Sequence, residues 1–324
     1  TGNYGIYADT QYGLLIKDIG VTGAYVGIKF INVDSSTLMS DSVGASGADG
    51  ISLREASDSN LISNCNASFN AGFGIYLTAS SRNTISGNTL NSNTAGGGMN
   101  IATNSDSNLI IGNHANSNTQ YGIYLSANSN ANIVTRNTAS SNSQYGIYLY
   151  SGITSAVVTQ NVVSGNTLYG IYIVSSDLND FQLNTIASNT SYQIYIDGTA
   201  SADTFQKNVI TPSSTNPDSG VFQGSITTNK YLTFTRNWWD TADETQIRKK
   251  FAYLGGSTGD SILFSPYRLG TIDTSIGGDT TAPLAPVSVT LDTSASSQIK
   301  VSWTIPTVNE ETNGGSVGYS GAKI

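Results

Sequence analysis

A short pattern of alternating apolar and polar residues returns at a fixed interval along the chain. It is Tyr-Gly-Ile-Tyr-Leu at residues 121–125 and 145–149, with close variants at 73–77, 169–173 and 192–196. Its glycine recurs in steps of 24, at the following positions: Gly50, Gly74, Gly98, Gly122, Gly146 and Gly170. A constant step over so many units predicts a repeat architecture in which each unit packs on the next one.

Each unit carries a second pattern between two glycine motifs. In residues 83–93 it consists of the apolar Ile85 and Leu90 and the polar Asn88 and Asn93. Such alternation predicts strands, because successive strand side chains point to opposite faces. The runs are short and rich in β-branched and aromatic residues, and the unit is too short for a strand–helix–strand crossover, which needs about 30 residues. The pattern therefore predicts an all-β fold, a parallel β-solenoid with about 24 residues in each coil.

Two polar columns recur at the predicted bends, and both consist of asparagine. The first column is Asn88, Asn113, Asn137, Asn161, Asn184 and Asn208. The second column is Asn70, Asn93, Asn118, Asn142, Asn166 and Asn189. Asparagine tolerates the left-handed backbone of a tight bend, and stacked asparagines can bond to one another. We therefore interpret both columns as structural ladders without a catalytic role.

The alternation also predicts which side chains face outward. We expect Ile123 and Leu125 in the core, and Gly122 and Tyr124 on the outside. One outward position is tyrosine in most coils and is interrupted by Asn100. The members of this tyrosine strip are Tyr76, Tyr124, Tyr148, Tyr172 and Tyr195. The strip is either an interface, for a glycan or for a neighbouring solenoid, or a consequence of the β-propensity of tyrosine alone.

The Asn-x-Ile-x-x-Asn and Tyr-Gly-Ile-Tyr-Leu motifs resemble the right-handed parallel β-helix repeats of the pectate-lyase-like superfamily, most closely those of the NosD type. The resemblance covers roughly residues 4–240. It implies a right-handed parallel β-helix. It leaves the function open, since this repeat family includes enzymes, transport accessories and surface proteins.

The chain divides at about residue 240. We expect residues 1–240 to form the β-helix, residues 241–276 to close it, and residues 277–282 to be a linker. The Pro-rich entry and the Ile-Lys-Val-Ser-Trp strand pattern of residues 283–324 resemble the start of a fibronectin type III domain. Because such a domain needs about 100 residues, this part is predicted to be a partial β-sandwich.

The closing segment carries the signature of a short helix. Thr241 followed by Glu244 fits a capping box, and Ile247 and Phe251 share one helical face, so we predict a helix over residues 242–253. The two tryptophans just before it either pack on the last coil or form a platform for a sugar.

Composition narrows the classes of partner. The chain has 324 residues, 11% of them charged, a net charge of −8 and a sequence pI near 4.5. This balance argues against nucleic acid and anionic lipid as partners, and no run is long and apolar enough for membrane insertion. Low charge with many Gly, Ser, Thr and Asn residues favours an extracellular or cell-surface location.

The candidate reactive residues are few. Cys65 occupies a first-column position and is predicted to be buried, and His114 is predicted to be a solvent-facing turn residue. Asp180 and Asp203 are expected to align on adjacent coils as solvated carboxylates. No cluster of ionisable residues recurs at one position, so the sequence predicts no catalytic residue, no cofactor site and no metal site.

These observations predict a non-catalytic extracellular structural or surface-assembly protein. We expect it to associate with copies of itself, head-to-tail or laterally, because an open solenoid end exposes unpaired strand edges. The alternative is a carbohydrate-active enzyme or a carbohydrate-binding β-helix that acts on a polysaccharide, and for that function the tyrosine strip would contact the glycan.

Overall fold

The computed structural model describes residues 3–198, 200, 202–226, 231–253, 261–263, 267–268, 287–292, 300–304 and 317–318. Over most of this length the chain is a parallel β-solenoid in which each coil pairs with the next. The register advances by one unit at each step, since Ile123 pairs with Ile147 and Ile147 with Ile171. The predicted all-β solenoid with about 24 residues in a coil is confirmed.

Two long sheets form two faces of the solenoid. In the described residues the first sheet has 11 strands. They are Tyr4–Tyr12, Val26–Asp34, Ile51–Arg54, Ile75–Thr78, Met99–Ala102, Tyr121–Ser126, Tyr145–Tyr150, Tyr169–Val174, Tyr192–Gly198, Val221–Ile226 and Phe251–Tyr253. The second sheet consists of Leu15–Lys17, Thr37–Met39, Leu61–Ser63, Thr84–Ser86, Leu109–Ile111, Ile133–Thr135, Val157–Thr159, Asp180–Gln182, Thr204–Gln206, Tyr231–Thr235 and Ser261–Leu263.

The third face is less regular. Its strands are Gly20–Thr22 with Ser42–Gly44 near one end, and Val162–Ser164, Thr185–Ala187 and Val209–Thr211 near the other. Single bridges through Asn66, Thr89, His114 and Thr138 connect the coils between them. The third face therefore continues the stacking in every coil, although its strands are too short to be assigned throughout.

The core is a column of apolar side chains from all three faces. Ile123 and Leu125 of the first sheet, Val134 of the second and Ala139 of the third are fully buried, as are their equivalents in neighbouring coils. Towards the C-terminal end, Phe181, Phe205 and Phe234 replace the smaller residues of the second sheet and stack with ring centroids 4.5 and 4.3 Å apart. Burial of this column supplies the apolar area that stabilises the fold.

The two asparagine columns lie inside the bends that flank the third face. The side-chain nitrogen of Asn137 donates to Oδ1 of Asn161 at 3.0 Å, and the backbone nitrogen of Asn137 donates to the same oxygen at 2.9 Å. Asn142 makes the same pair of bonds to Asn166. Each side chain therefore satisfies a buried backbone N–H of the preceding coil, which would otherwise cost about 1–3 kcal/mol.

The bends differ from the prediction in one detail of the backbone. Left-handed φ values belong to the residue before each ladder asparagine, as in Arg136 (φ 56°) before Asn137 and Ser141 (φ 57°) before Asn142. Asparagine occupies the ladder position because its side-chain amide bonds to the adjacent coils, and not because it tolerates positive φ. This explains why residues as different as arginine and serine precede the ladder positions.

A third buried ladder is present that the sequence analysis missed. It precedes the second sheet and consists of Asn60, Asn83, Asn108, Asn132, Asn179 and Asp203, with Ala156 in the one coil that lacks the side chain. Asn179 donates its backbone N–H to Oδ1 of Asp203 at 2.9 Å. The signal was visible as the first asparagine of the Asn-x-Ile motif, which recurs two residues before the apolar anchor.

The recurring glycine has a steric cause. A Cβ on Gly122 would lie 2.6 Å from the carbonyl oxygen of Gly146 and 2.8 Å from Cβ of Ala139. Gly122 is therefore buried at a close approach between coils, and the prediction that it faces outward is wrong. Glycine occupies this position of the repeat because the neighbouring coil leaves no room for a side chain.

The closing helix is shorter than predicted. It spans Glu244–Lys249 and begins at Asp243, whose carboxylate accepts the backbone N–H of Thr245, so the predicted cap at Thr241 is wrong. Phe251 does not share its face but starts the last strand of the first sheet. Asp243 serves as the N-cap because its charged carboxylate faces the positive end of the helix dipole.

Trp239 closes the aromatic end of the core. It is fully buried, and its ring centroid lies 5.9 Å from that of Phe234 and 4.8 Å from that of Phe251. Of the two roles considered for this tryptophan, packing on the end of the core is the one its position fits.

In the C-terminal part, Val287–Asp292 pairs antiparallel with Lys300–Thr304, and Tyr267–Arg268 with Val317–Gly318. The predicted linker at residues 277–282 lies outside the described residues. The fibronectin-like domain therefore stays a prediction.

Cys65 continues the first ladder towards the N-terminal end. Its backbone N–H donates to Oδ1 of Asn88, and its Sγ lies 4.0 Å from Oδ2 of Asp41. Burial raises the pKa of the thiol to about 11, and the adjacent Asp41 carboxylate adds to the effect.

We predict that replacing Asn137 with leucine lowers the free energy of unfolding by about 1–3 kcal/mol, because the backbone and side-chain N–H groups of Asn113 lose their acceptor. Thermal and chemical unfolding measure the change. Thr138→Leu is the matched control, since it adds the same side chain at the next, outward position and should change stability by about 0.5 kcal/mol or less. Equal melting of the two variants would contradict the ladder's role.

We predict that Cys65 reacts slowly with a thiol reagent in the folded protein. At pH 8.5 an ordinary thiol is about half ionised, whereas a thiol with a pKa of about 11 is ionised to well under one part in a hundred, so labelling should be about a hundredfold slower. The same protein in denaturant is the control. Labelling at equal rates in both states would place the thiol at the surface.

Candidate functional site

The outward face of the first sheet carries two adjacent columns of tyrosine. The predicted tyrosine strip forms one column, in which Tyr124, Tyr148, Tyr172 and Tyr195 follow one another and Phe222 extends the row. The sequence analysis missed the other column, which consists of Tyr121, Tyr145, Tyr169 and Tyr192. The same step of 24 or 23 residues would have revealed it. Together the two columns are the tyrosine face.

The rings of the tyrosine face pack closely. The Tyr124 and Tyr148 centroids are 4.8 Å apart with ring planes 8° from parallel, and those of Tyr148 and Tyr172 are 4.9 Å apart with planes 6° apart. Between the columns most rings meet at steep angles, as for Tyr145 and Tyr148, at 5.2 Å and 64°. Parallel stacking from Tyr124 to Tyr172 follows from the spacing of paired strands, which is about 4.8 Å. It ends at Tyr195, whose ring is perpendicular to that of Tyr172 and stacks on Tyr169 instead.

Mutual packing leaves these tyrosines half-buried rather than exposed, which corrects the prediction for Tyr124. Burial raises the pKa of the Tyr124 and Tyr195 hydroxyls to about 12. Burial also raises the pKa of Tyr148 and Tyr172, and nearby groups reinforce the shift: the Tyr124 hydroxyl for Tyr148 and the Asp197 carboxylate for Tyr172. The hydroxyls of the face therefore keep their protons well above neutral pH and can donate hydrogen bonds.

Charged groups lie at the two ends of the tyrosine face. Towards the N-terminal end, the Arg54 guanidinium carbon lies 4.7 Å from the Tyr76 ring centroid, and its nitrogen Nη2 lies 3.4 Å from Asp49. Burial raises the pKa of the Asp49 carboxyl, and its bonds to Phe73 N–H and Arg54 oppose the shift. At the other end Asp197 lies on the strand that carries Tyr195, two residues after that tyrosine and in register with Val174.

One coil interrupts the face. Asn100 pairs with Tyr76 on one side and with Tyr124 on the other, and Gly97 stands where the next coil has Tyr121. We call this interruption the aromatic gap, defined by Tyr76 and Tyr124 as walls and Asn100 as floor.

The other candidate residues lie away from the face. His114 is exposed on the third face, beside Thr89 and Thr138. Asp180 and Asp203 are not equivalent: Asp180 pairs with Thr204 and accepts its hydroxyl at 2.8 Å, whereas Asp203 is fully buried in the third ladder. Their predicted alignment is wrong because Asp203 occupies the position two residues before the apolar anchor.

Metal-binding clusters and membrane-spanning helices are both absent from the described part of the chain. It contains no group of three or more His, Cys, Asp or Glu residues placed to hold a metal ion. None of its helices is long and apolar enough to cross a membrane.

Solved structures with a similar fold include polysaccharide-modifying enzymes. A double mutant of the periplasmic alginate epimerase AlgG is 15% identical with a TM-score of 0.61, over 72% of this chain and 65% of that one. The A-module of the mannuronan C-5 epimerase AlgE4 of Azotobacter vinelandii is 11% identical with a TM-score of 0.53, over 78% and 64%. The Dettilon tailspike protein is 15% identical with a TM-score of 0.50, over 88% and 67%. The chain thus covers less than two thirds of either epimerase structure, and no curated protein matches its sequence.

These comparisons contradict two predictions, the non-catalytic structural protein and the absence of enzymatic activity. They agree better with the alternative, a carbohydrate-active enzyme or a carbohydrate-binding β-helix. The sequence argument failed because it looked for ionisable residues that recur at one position. In a stacked repeat, a catalytic residue can occur in one coil only. Such a residue does not recur at the same position of other coils, so a search for recurring residues misses it.

At these identities the structural likeness shows the fold alone. The sequence itself matches a family over residues 4–186, more than half of the chain, and that family is described as the right handed beta helix region. With the parallel register of every described coil, this match settles the assignment: the chain belongs to the right-handed β-helix family.

Proposed function

We propose that this chain acts on a polysaccharide, which it binds along the tyrosine face. The observation that carries the proposal is the pair of stacked tyrosine columns. Such a surface offers flat apolar area to the C–H faces of sugar rings and hydroxyl groups to their oxygens. Tyrosine also loses little conformational entropy on binding, since its side chain has only two torsion angles and is already packed here.

The middle of the tyrosine face carries no formal charge. A tyrosine hydroxyl is protonated at neutral pH, and burial raises the pKa of Tyr124, Tyr148 and Tyr172 further, so these rings stay uncharged into the alkaline range. Neutral hydroxyl donors suit either uncharged sugars or the carboxylates of uronates. Because the net charge of the chain is −8, binding of an anionic polymer would depend on these local donors rather than on long-range attraction.

The carboxylate that we assign to the reaction is Asp197. Asp197 lies two residues after Tyr195 on the same strand and pairs with Val174, which lies two residues after Tyr172, so its side chain projects from the same face as both rings. Its charge contributes to the raised pKa of both hydroxyls. A carboxylate beside a protonated tyrosine supplies a proton acceptor and a proton donor on one surface, which is what general acid–base chemistry on a sugar requires. Oδ1 of Asp197 accepts the backbone N–H of Gly198 at 2.7 Å, which fixes the orientation of the carboxylate.

We also propose that the chain works outside the cytoplasm. The similar alginate epimerase AlgG is periplasmic, and the charged fraction of this chain is low, at 11%. A cell-surface location and self-association stay predictions.

We predict that Tyr148→Ala weakens polysaccharide binding about tenfold, which corresponds to about 1.4 kcal/mol, because it removes a ring from the centre of the face. Calorimetry with polymannuronate, polygalacturonate and a neutral xylan measures the affinity. Tyr12→Ala is the matched control, since Tyr12 is exposed and lies outside both columns. Absence of binding to all three polymers, or equal loss in both variants, would overturn the proposal.

We predict that Asp197→Asn abolishes turnover of the bound polymer and leaves its affinity within about twofold, because the amide cannot accept a proton. Proton NMR of the incubated polymer detects new reducing ends, unsaturated ends or C5 epimers. Asp18→Asn is the control, since Asp18 is an exposed carboxylate remote from the face. Unchanged turnover in Asp197→Asn would remove this residue from the reaction.

A further inference from the structure

The aromatic gap interrupts an otherwise continuous surface. Tyr76 and Tyr124 are separated by two strand steps, so their rings stand about 10 Å apart across the position of Asn100. Carbon atoms of neighbouring groups approach to about 3.5–4.0 Å, so a flat ring in contact with both walls needs about 7–8 Å. A chair-shaped sugar ring with axial hydrogens is thicker than a flat ring and takes up most of the remaining width.

Both walls are supported from behind. The Arg54 guanidinium lies against the Tyr76 ring and belongs to the coil on the far side from the gap. Tyr148 stacks on Tyr124, also on the side away from the gap. Each wall therefore directs its other face towards Asn100, and neither ring can fold into the opening without losing the contact behind it.

The floor offers a hydrogen-bond donor. Oδ1 of Asn100 accepts the Ser126 hydroxyl at 3.2 Å, which orients the amide. Asn100 is 7% exposed, and among the described residues its Nδ2 donates to no partner. An amide nitrogen held at the base of an aromatic slot can donate to a sugar hydroxyl or carboxylate.

The backbone maintains the opening. A Cβ on Gly97 would lie 2.4 Å from the carbonyl oxygen of Tyr121, so no side chain can fill the neighbouring position of the missing column. Two adjacent outward positions therefore lack an aromatic ring in the same coil, one for steric reasons and the other through Asn100. A single lost tyrosine would not produce this combination.

We propose that the aromatic gap is a subsite that holds one pyranose ring of the polysaccharide between Tyr76 and Tyr124, with the Asn100 amide donating to an oxygen of that sugar. The inference rests on the proposed function and adds a fixed register to it: the rest of the tyrosine face lets a chain slide, whereas the gap anchors one residue. The bound polymer would extend from this subsite along the tyrosine face to Asp197.

The test compares two variants of the floor. Asn100→Tyr fills the gap and completes the column, and Asn100→Ala keeps the gap but removes the amide. Thr135→Tyr adds the same ring at a half-buried, outward position of the second sheet and is the matched control. The probes are a fluorescent mannuronate hexamer and xylohexaose, measured by anisotropy and calorimetry, with melting curves to verify folding.

We expect Asn100→Tyr to weaken binding of the better probe at least tenfold and Asn100→Ala to weaken it about fivefold, with Thr135→Tyr unchanged. Unchanged or tighter binding by both Asn100 variants would overturn the subsite. If Tyr148→Ala still weakened binding in that case, the proposed function would stand without the subsite. Failure of the native protein to bind either hexamer or any of the three polymers would overturn both.

Discussion

The hydrogen bond from a backbone N–H to the side-chain oxygen of an asparagine in the next coil is the interaction on which the fold depends. At each bend the chain turns away from the sheet ladder, and the backbone groups there would be buried without partners. Asn113, Asn137 and Asn161 show the solution, in which each amide bonds to the coils on both sides. Asparagine accepts these bonds in the three ladders, and serine hydroxyls such as those of Ser57 and Ser105 accept them after the first sheet, so the coils stay in register and the apolar column stays closed.

The ladder bonds and the apolar core both lie inside the solenoid. The outward-facing side chains of the first sheet are therefore not needed to hold the coils together. Tyrosine at those positions is half-buried by other tyrosines, not by the core. The face is therefore rigid, because neighbouring rings restrain one another, and each tyrosine ring carries a polar hydroxyl at its edge. Rigidity and a polar edge are the properties that a glycan-binding surface needs. They arise here from the same strand spacing that stacks the core.

The sequence predicted what repeats and missed what departs from repetition. The solenoid, its coil length, the burial of Ile123 and the positions of the asparagine columns follow from periods that a single sequence displays. The inward direction of Gly122 did not, because Gly122 is only the second residue of its strand and the regular alternation begins at Ile123. The helix cap at Asp243 and the burial of Asp203 are likewise local choices between neighbouring residues of similar chemistry. Only part of the candidate site could be predicted from the sequence. The tyrosines recur at one position of the repeat, whereas Asn100, Arg54 and Asp197 each occur in one coil only.

The confinement of ladder bonds to adjacent coils has a consequence for how such a protein can change its size. Most coils are joined through steps of 23, 24 or 25 residues, so the joints absorb one residue more or less without loss of the ladder. Duplication or removal of one whole coil would preserve every bond on both sides of the cut. The molecule can therefore be lengthened by about 4.8 Å at a time. Each added coil would add two rings to the tyrosine face. The length of polymer that the face covers would therefore change in steps of one coil.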